Sequence, residues 1–172
     1  MGHYLEPEDP YFVVTGLPRT RTAWFSFYFD CIHEPMINSG LFKKKIRGIC
    51  SSAFPLYCKD HPDAKVVFID RDIDDVEASL KKAFPEGVGK IMPYQYRETL
   101  LEGVVMLEAC KLMFPDALHV KYEEIDERIE EIHDYFFPYV RRFDRDRFEY
   151  YKSFNVSVNE TAYNEKLSLL GL

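Results

Sequence analysis

The feature that most constrains this chain is the alternation of short apolar runs with stretches of helical periodicity, sustained from about residue 11 to residue 136. A strand, a helix and another strand in repetition make a parallel sheet whose crossover helices cover its faces. YFVVTG (11–16) reads as a buried first strand, and behind it Trp24, Phe27, Tyr28 and Cys31 fall at helical spacing. CIHEP (31–35) lies where a second strand and its edge should fall, IRGICSS (46–52) reads as a short strand, and KVVFID (65–70) is the clearest strand of the set. Ile73, Val76, Leu80 and Phe84 stripe a helix over 73–84, acidic at its start and basic at its end, the order that the helix dipole favours. A longer helix is expected over 95–113 with Leu101, Val104, Val105, Ala109 and Leu112 inward. ALHVKY (117–122) is a last strand, and Ile125, Ile129, Ile132 and Phe136 mark the helix after it. The pattern predicts a three-layer α/β/α fold around a central parallel sheet of about five strands. With no repeat and no Gly/Ser linker, one domain over 1–172 is expected, residues 137–172 forming an aromatic and charged C-terminal extension.

Composition narrows the classes of function. A chain of 172 residues that is 47% apolar can bury a sizeable core. The net charge of −7 argues against nucleic acid as a partner, since nonspecific binding needs a basic footprint. The opening MGHYLEPEDP lacks the basic segment and apolar core of a signal peptide, and no apolar run is long enough to cross a bilayer. A cytoplasmic protein without a membrane partner is therefore expected, and NVS (155–157) and NET (159–161) are then accidental sequons. Cys31, Cys50, Cys58 and Cys110 form no CxxC pair and no zinc-ligand spacing, so they read as reduced and mostly buried, with no metal expected.

Chemistry concentrates first in TGLPRTRTAW (15–24), where the first strand hands over to the first helix. Free backbone N–H groups and the dipole at a helix start attract an anion. Gly16 permits a tight turn, Thr20 and Thr22 offer hydroxyls, and Arg19 can grip two oxygens of a phosphate or sulfate. The nucleotide-hydrolysing loop GxxxxGK[ST] is not present, because Arg21 and Thr22 stand where its Gly and Lys belong. The second stretch is KVVFIDRDIDDVEASL (65–80), a strand running into Arg71 and then a helix carrying Ser79. Both side chains fall where one ligand could touch them, at the carboxyl edge of the sheet.

Together the two stretches resemble the PAPS-dependent sulfotransferase family, whose fold is the P-loop-containing nucleoside triphosphate hydrolase-like one. Pro18-Arg19-Thr20-Arg21-Thr22-Ala23, followed by Trp24, is similar to its loop P-[KR]-[ST]-G-T-[TS]. Arg71, Asp72, Asp75 and Ser79 match its strand-end pattern R-D-P-x-D-x-x-x-S, with Ile73 in place of Pro, and VKYEEI (120–125) is similar to R-Y-E-D-L. The resemblance implies a donor, 3′-phosphoadenosine 5′-phosphosulfate (PAPS), and transfer of its sulfuryl group to a hydroxyl of a small-molecule or other acceptor. It implies that Arg19, Thr20, Arg21, Thr22, Ala23 and Trp24 surround the 5′-phosphosulfate and that Arg71 and Ser79 hold the 3′-phosphate. Arg19 would stabilise the leaving phosphate, and Glu34 or, second, His33 would take the acceptor's proton. Two departures stand out: Arg21 replaces the loop glycine, and the family's C-terminal glycine-rich adenine-binding stretch is not visible.

Two other readings are kept. A P-loop phosphotransferase with an aberrant loop would use Asp70, at the end of VVFID, to hold Mg²⁺. A non-catalytic nucleotide- or partner-binding module would have Arg21 filling the donor pocket. Tyr94, Tyr96 and Arg97 are candidates for the border of an acceptor pocket; His61, His119 and His133 read as a turn, a strand and a polar helix face. The aromatic surfaces of 135–154 could support a homodimer.

Overall fold

The computed structural model describes residues 11–34 and 48–153. Five strands, β1 (Phe12–Gly16), β2 (Ile32–His33), β3 (Gly48–Cys50), β4 (Lys65–Asp70) and β5 (Leu118–Lys121), form one sheet in the order β2-β3-β1-β4-β5. Every pairing is parallel. The expected α/β architecture is therefore present.

The central strands show why both faces are covered. Side chains alternate across a strand, and β1 and β4 are apolar on both sides. Phe12 and Val14 of β1 and Val67 and Ile69 of β4 face one cluster, while Val13, Val66 and Phe68 face the other. The first cluster receives α1 (Thr22–Phe29), α4 (Ile125–Phe136) and α5 (Arg145–Lys152); the second receives α2 (Ile73–Ala83) and α3 (Tyr96–Met113). In α4 the expected stripe of Ile125, Ile129, Ile132 and Phe136 is buried throughout. Helix α1 is apolar nearly all round because it lies between the sheet and α5. Phe25 and Phe29 are buried alongside Trp24 and Tyr28, Phe27 is half-buried, and the Trp24 ring meets Phe148 edge-on at 6.3 Å.

Two expectations are corrected. Helix α3 buries Tyr96, Leu100, Leu107 and Cys110, whereas Leu101, Val105, Ala109 and Leu112 face outward, Leu112 being 86% exposed. At about 100° per residue the true stripe is turned by roughly 150° from the expected one, nearly to the opposite face. Gly103 belongs to it, with Leu17 Cδ2 3.4 Å from where its Cβ would be, and a glycine adds nothing to an apolar pattern. His133 is not on a polar face: it is buried, with Nε2 at 2.8 Å from the Tyr28 hydroxyl and Nδ1 at 2.7 Å from the Arg141 carbonyl. Burial lowers its pKa below the usual imidazole value, against the opposing effect of the Arg141 carbonyl.

The described part of the C-terminal extension packs Val140 and Phe148 into the α1 cluster. The opening decapeptide, Pro35, residues 46 and 47 of the third apolar run, both sequons and residues 154–172 lie outside the described residues.

Candidate functional site

The turn from β1 into α1 is built by contacts within the chain. A Cβ on Gly16 would stand 2.5 Å from the Ile69 carbonyl oxygen and 2.8 Å from Thr20 Oγ1, so the close approach that requires glycine is made by β4 and the turn itself. Thr20, fully buried, donates its hydroxyl to the Leu17 carbonyl at 2.7 Å and closes the turn. Arg19 and Arg21 adopt left-handed backbones (φ 67° and 62°), which cost a non-glycine residue roughly 1–2 kcal/mol each. The position where the sulfotransferase pattern has glycine is thus one where the backbone favours it. Arg21 caps α1, its carbonyl accepting the Phe25 N–H at 2.9 Å, and the first N–H groups of the helix lack intrahelical acceptors.

The arginines divide between two tasks. Arg19 Nε lies 3.2 Å from Ser79 Oγ, and Arg71 donates from Nη1 to the Arg19 carbonyl at 2.6 Å, so strand end, helix α2 and loop are tied together. The Arg71 guanidinium sits 3.9 Å above the Tyr122 ring, and its Nε is buried with no hydrogen-bond partner among the described residues. Arg71 thus reaches the cavity with its Nε–H unpaired among the described residues. Arg21 turns elsewhere: Nη1 pairs with Asp126 Oδ1 at 2.6 Å, and its Cζ is 5.2 Å from the centre of the Tyr122 ring. Burial alone would lower its pKa, but the hydrogen bonds and charges of Asp126 and Tyr122 outweigh that and hold it raised.

Beyond the loop, Thr22 Oγ1 is 3.4 Å from His33 Nε2 at the end of β2. Glu34 follows in a left-handed backbone (φ 46°) and is 7% exposed. Its carboxylate accepts three hydrogen bonds: Ser51 Oγ at 2.5 Å, Ser52 N–H at 2.7 Å and Ser52 Oγ at 2.8 Å. Ser51 in turn accepts from the Ala53 N–H at 3.0 Å. Both Glu34 oxygens are therefore engaged, whereas His33 Nε2 faces the loop and lies 3.9 Å from Glu34 Oε1. The two serines were not singled out in the sequence, although they follow the carboxyl end of a strand, where such folds place their sites.

A cavity of about 780 Å³ joins these groups. Arg19, Arg21, Thr22, His33, Arg71 and Ser79 line one part, and Leu56, Phe84, Val88, Ile91, Leu100 and Met106 form an apolar wall. Ala23 lines the cavity as well, while Thr20 does not. Trp24 reaches it but is 5% exposed: the indole stacks on Tyr28 at 4.8 Å and donates Nε1–H to the Tyr151 carbonyl at 2.9 Å. Tyr96 borders the cavity with its hydroxyl donated to the Phe84 carbonyl, Tyr94 is 81% exposed, and Arg97 pairs with Asp74 and Glu77. Tyr122, the tyrosine of the VKYEEI stretch, also lines it, as does Lys152, which did not stand out in the sequence.

Asp70, the candidate Mg²⁺ ligand, accepts from Lys111 Nζ at 2.7 Å and lies 3.5 Å from His119 Nδ1. It does not line the large cavity. Among the described residues no group of three His, Cys, Asp or Glu side chains is placed to hold a metal ion, and no helix is long and apolar enough to cross a membrane. All four cysteines are buried and outside any disulfide, with Cys31 Sγ 3.3 Å from Cys50 Sγ.

No protein-family model and no curated protein matches this chain. Among solved structures, mouse sulfotransferase SULT7A1 complexed with PAP superposes with a TM-score of 0.55. The fold is sulfotransferase-like. Identity is 14%, and the alignment covers 84% of this chain and 63% of the mouse chain, so this chain spans less than two thirds of that protein's length.

Proposed function

We propose that this protein transfers a sulfuryl group from PAPS to a hydroxyl of a small-molecule acceptor. The observation that carries the reading is the convergence of Arg19, Arg71, Ser79 and the start of α1 on one cavity, with the Arg71 Nε donor buried and unpaired among the described residues. The fold shared with a sulfotransferase solved with PAP supports it. PAPS supplies an activated sulfuryl group, and the chain's own residues do the rest. Arg19 and the N-terminus of α1, with the Thr22 hydroxyl, neutralise charge on the 5′-phosphate as the bond to sulfur breaks. Arg71 and Ser79 hold the 3′-phosphate. The apolar wall from Leu56 to Met106 receives the body of the acceptor.

For the proton, His33 is preferred to Glu34. Both Glu34 oxygens already accept hydrogen bonds from Ser51 and Ser52, whereas His33 Nε2 lies 3.4 Å from Thr22 Oγ1, at the loop proposed to hold the donor. His33 Nε2 takes the acceptor's proton, and the clamped Glu34 keeps a negative charge nearby to stabilise the imidazolium. The phosphotransferase reading is disfavoured by Asp70, whose carboxylate is held by Lys111 away from the cavity.

The test is calorimetric titration with PAP, the desulfated nucleotide, in EDTA, beside 5′-AMP. Binding of PAP that is stronger than that of 5′-AMP and falls about tenfold or more in Arg71→Ala is expected, the loss of one charge-assisted contact. Absence of PAP binding would sink the reading, and PAP binding without turnover over an acceptor screen would leave a nucleotide-binding module.

A further inference from the structure

Two of the buried cysteines meet beside the strand that carries His33 and leads into Glu34. Cys31 immediately precedes β2, and Cys50 ends β3, the strand next to it in the sheet. The parallel register sets Ile32 against Ile49 and His33 against Cys50, so Cys31 and Cys50 fall on one face, the face that α1 covers. Their Sγ atoms are 3.3 Å apart, and the two residues are 3% and 0% exposed. Cys58 and Cys110 belong to the cluster on the opposite face, so neither competes for these two sulfurs. The setting also favours local opening. β2 is two residues long, lies at the edge of the sheet and is bracketed by Asp30 and Glu34 in left-handed backbones (φ 60° and 46°). An edge strand so short parts from its neighbour at far lower cost than global unfolding, and the sulfurs are then within reach of small solutes.

We infer that Cys31 and Cys50 are a redox pair that closes into a disulfide when the chain meets a peroxide, fastening the strand that carries His33 to β3. The Cys31 thiolate attacks one oxygen of hydrogen peroxide. The O–O bond breaks, Cys31 becomes a sulfenic acid, and the other oxygen leaves as water with the thiol's proton. Cys50 then attacks the sulfenic sulfur: the S–S bond forms, the S–O bond breaks, and a second water carries away the Cys50 proton. Two thiols are oxidised, and one peroxide is reduced to two waters. The sulfurs need only close from 3.3 Å to the bonded distance of about 2.05 Å. Cys31 is itself anchored to α1, its N–H donating to the Ser26 carbonyl at 3.0 Å, and the Cys50 carbonyl accepts the Glu34 N–H at 3.1 Å. The new bond therefore joins the end of α1, β2 and β3 around His33, and β2 no longer parts from the sheet. A thiol reductant reverses it. The pair needs no nucleotide to react, so it stands apart from the sulfuryl-transfer reading.

The test treats the whole reduced chain with hydrogen peroxide, quenches with catalase, alkylates the remaining thiols and maps the peptides by mass spectrometry. Two of the four thiols are expected to escape alkylation, in one peptide pair that joins Cys31 to Cys50, and dithiothreitol should restore both. A crosslink between residues 31 and 50 also restricts the unfolded chain, so the oxidised protein is expected to melt about 5 °C above the reduced one. Cys31→Ser and Cys50→Ser should each abolish the link and the shift, whereas Cys58→Ser, on the far face, should keep them. The wild-type peptide map carries the test alone should a serine variant fail to fold. Four alkylated thiols after peroxide, a link between Cys58 and Cys110 in place of this one, or Cys31 driven to sulfinic acid with Cys50 still alkylated would overturn the pair. A Cys31–Cys50 link that lowers the melting temperature would overturn the fastening of β2.

Discussion

Replacement of Glu34 offers a quantitative test, because two physical effects at that residue oppose the usual ranking of substitutions. Its carboxylate is 7% exposed and holds three donors, of which Ser51 Oγ at 2.5 Å is the shortest. Glu34→Ala leaves all three without their acceptor; the two hydroxyls can rotate, but the Ser52 N–H cannot. An orphaned buried donor costs about 1–3 kcal/mol, and loss of the charge-assisted bonds adds to it, so about 3 kcal/mol is expected in total. Glu34→Gln keeps one carbonyl oxygen for Ser52 and asks Ser51 to accept from the amide. Weaker neutral bonds are then partly offset by the lighter desolvation of an amide, and a loss of about 1 kcal/mol follows. Glu34→Gly removes the same contacts as Ala but relieves the left-handed backbone, φ 46°, where L residues pay about 1–2 kcal/mol. The extra freedom of glycine in the unfolded chain returns about 0.5–1 kcal/mol of that, so Gly should be more stable than Ala by about 0.5 kcal/mol. Urea unfolding at pH 7, followed by circular dichroism with the m-value checked for constancy, ranks the four proteins. The expected order is Glu, Gln, Gly, Ala. Gln at or above Glu would refute the clamp as a net stabiliser, and Ala above Gly would refute the strained backbone.

Stability should also depend on pH through His133 and Tyr28, which are hydrogen-bonded to each other in the core. The lowered pKa of His133 means that the unfolded chain binds more protons below the ordinary histidine value of about 6.5, so stability is lost as pH drops through that region. Burial first, opposed by the Arg147 charge, raises the Tyr28 pKa to about 12, so the unfolded chain loses its proton earlier and stability falls as pH rises from 10 toward 12. Thermal melts across pH 5–7 should show a flattened slope in His133→Gln, judged against its own plateau. On α3, Leu112→Ala at 86% exposure should change stability by no more than about 0.5 kcal/mol, whereas Leu107→Ala, 5% exposed, should cost about 2–5 kcal/mol. The reverse order would restore the outward stripe to the core.

What could be read from the residues and what could not has a physical pattern. Strands β1 and β4 are plain in the sequence because both of their faces are buried, and a run of stiff apolar residues has few other uses. Helix α4 is equally plain because its isoleucines recur at one spacing with charges between them. Helix α3 misleads: its buried side includes Gly103 and Cys110, its exposed side Leu101, Val105 and Leu112, and hydropathy favours the wrong one. The meeting of Arg19, Arg71 and Ser79 follows from chain order and strand ends, since parallel strands bring their carboxyl ends to one edge. The direction of Arg21 does not follow, because it is set by Asp126 more than a hundred residues away, on a helix that sequence spacing cannot bring beside the loop. The Glu34 clamp is likewise invisible: it depends on β2 and β3 lying side by side, so that Cys50 accepts the Glu34 N–H at 3.1 Å and delivers the two serines.

The packing of Trp24 has an optical consequence. It is the chain's one tryptophan, so every photon that indole emits originates two residues from Thr22, at the cavity. Its ring is shielded from water, stacked on Tyr28 and anchored to the Tyr151 carbonyl on α5. Emission should therefore be blue-shifted in the resting protein. Undocking of α5 would move it to longer wavelength, and a nucleotide entering the cavity that Trp24 lines would change its surroundings. The molecule thus carries an internal fluorophore beside the proposed anion site, and a change in its emission on adding PAP would report occupancy without a label.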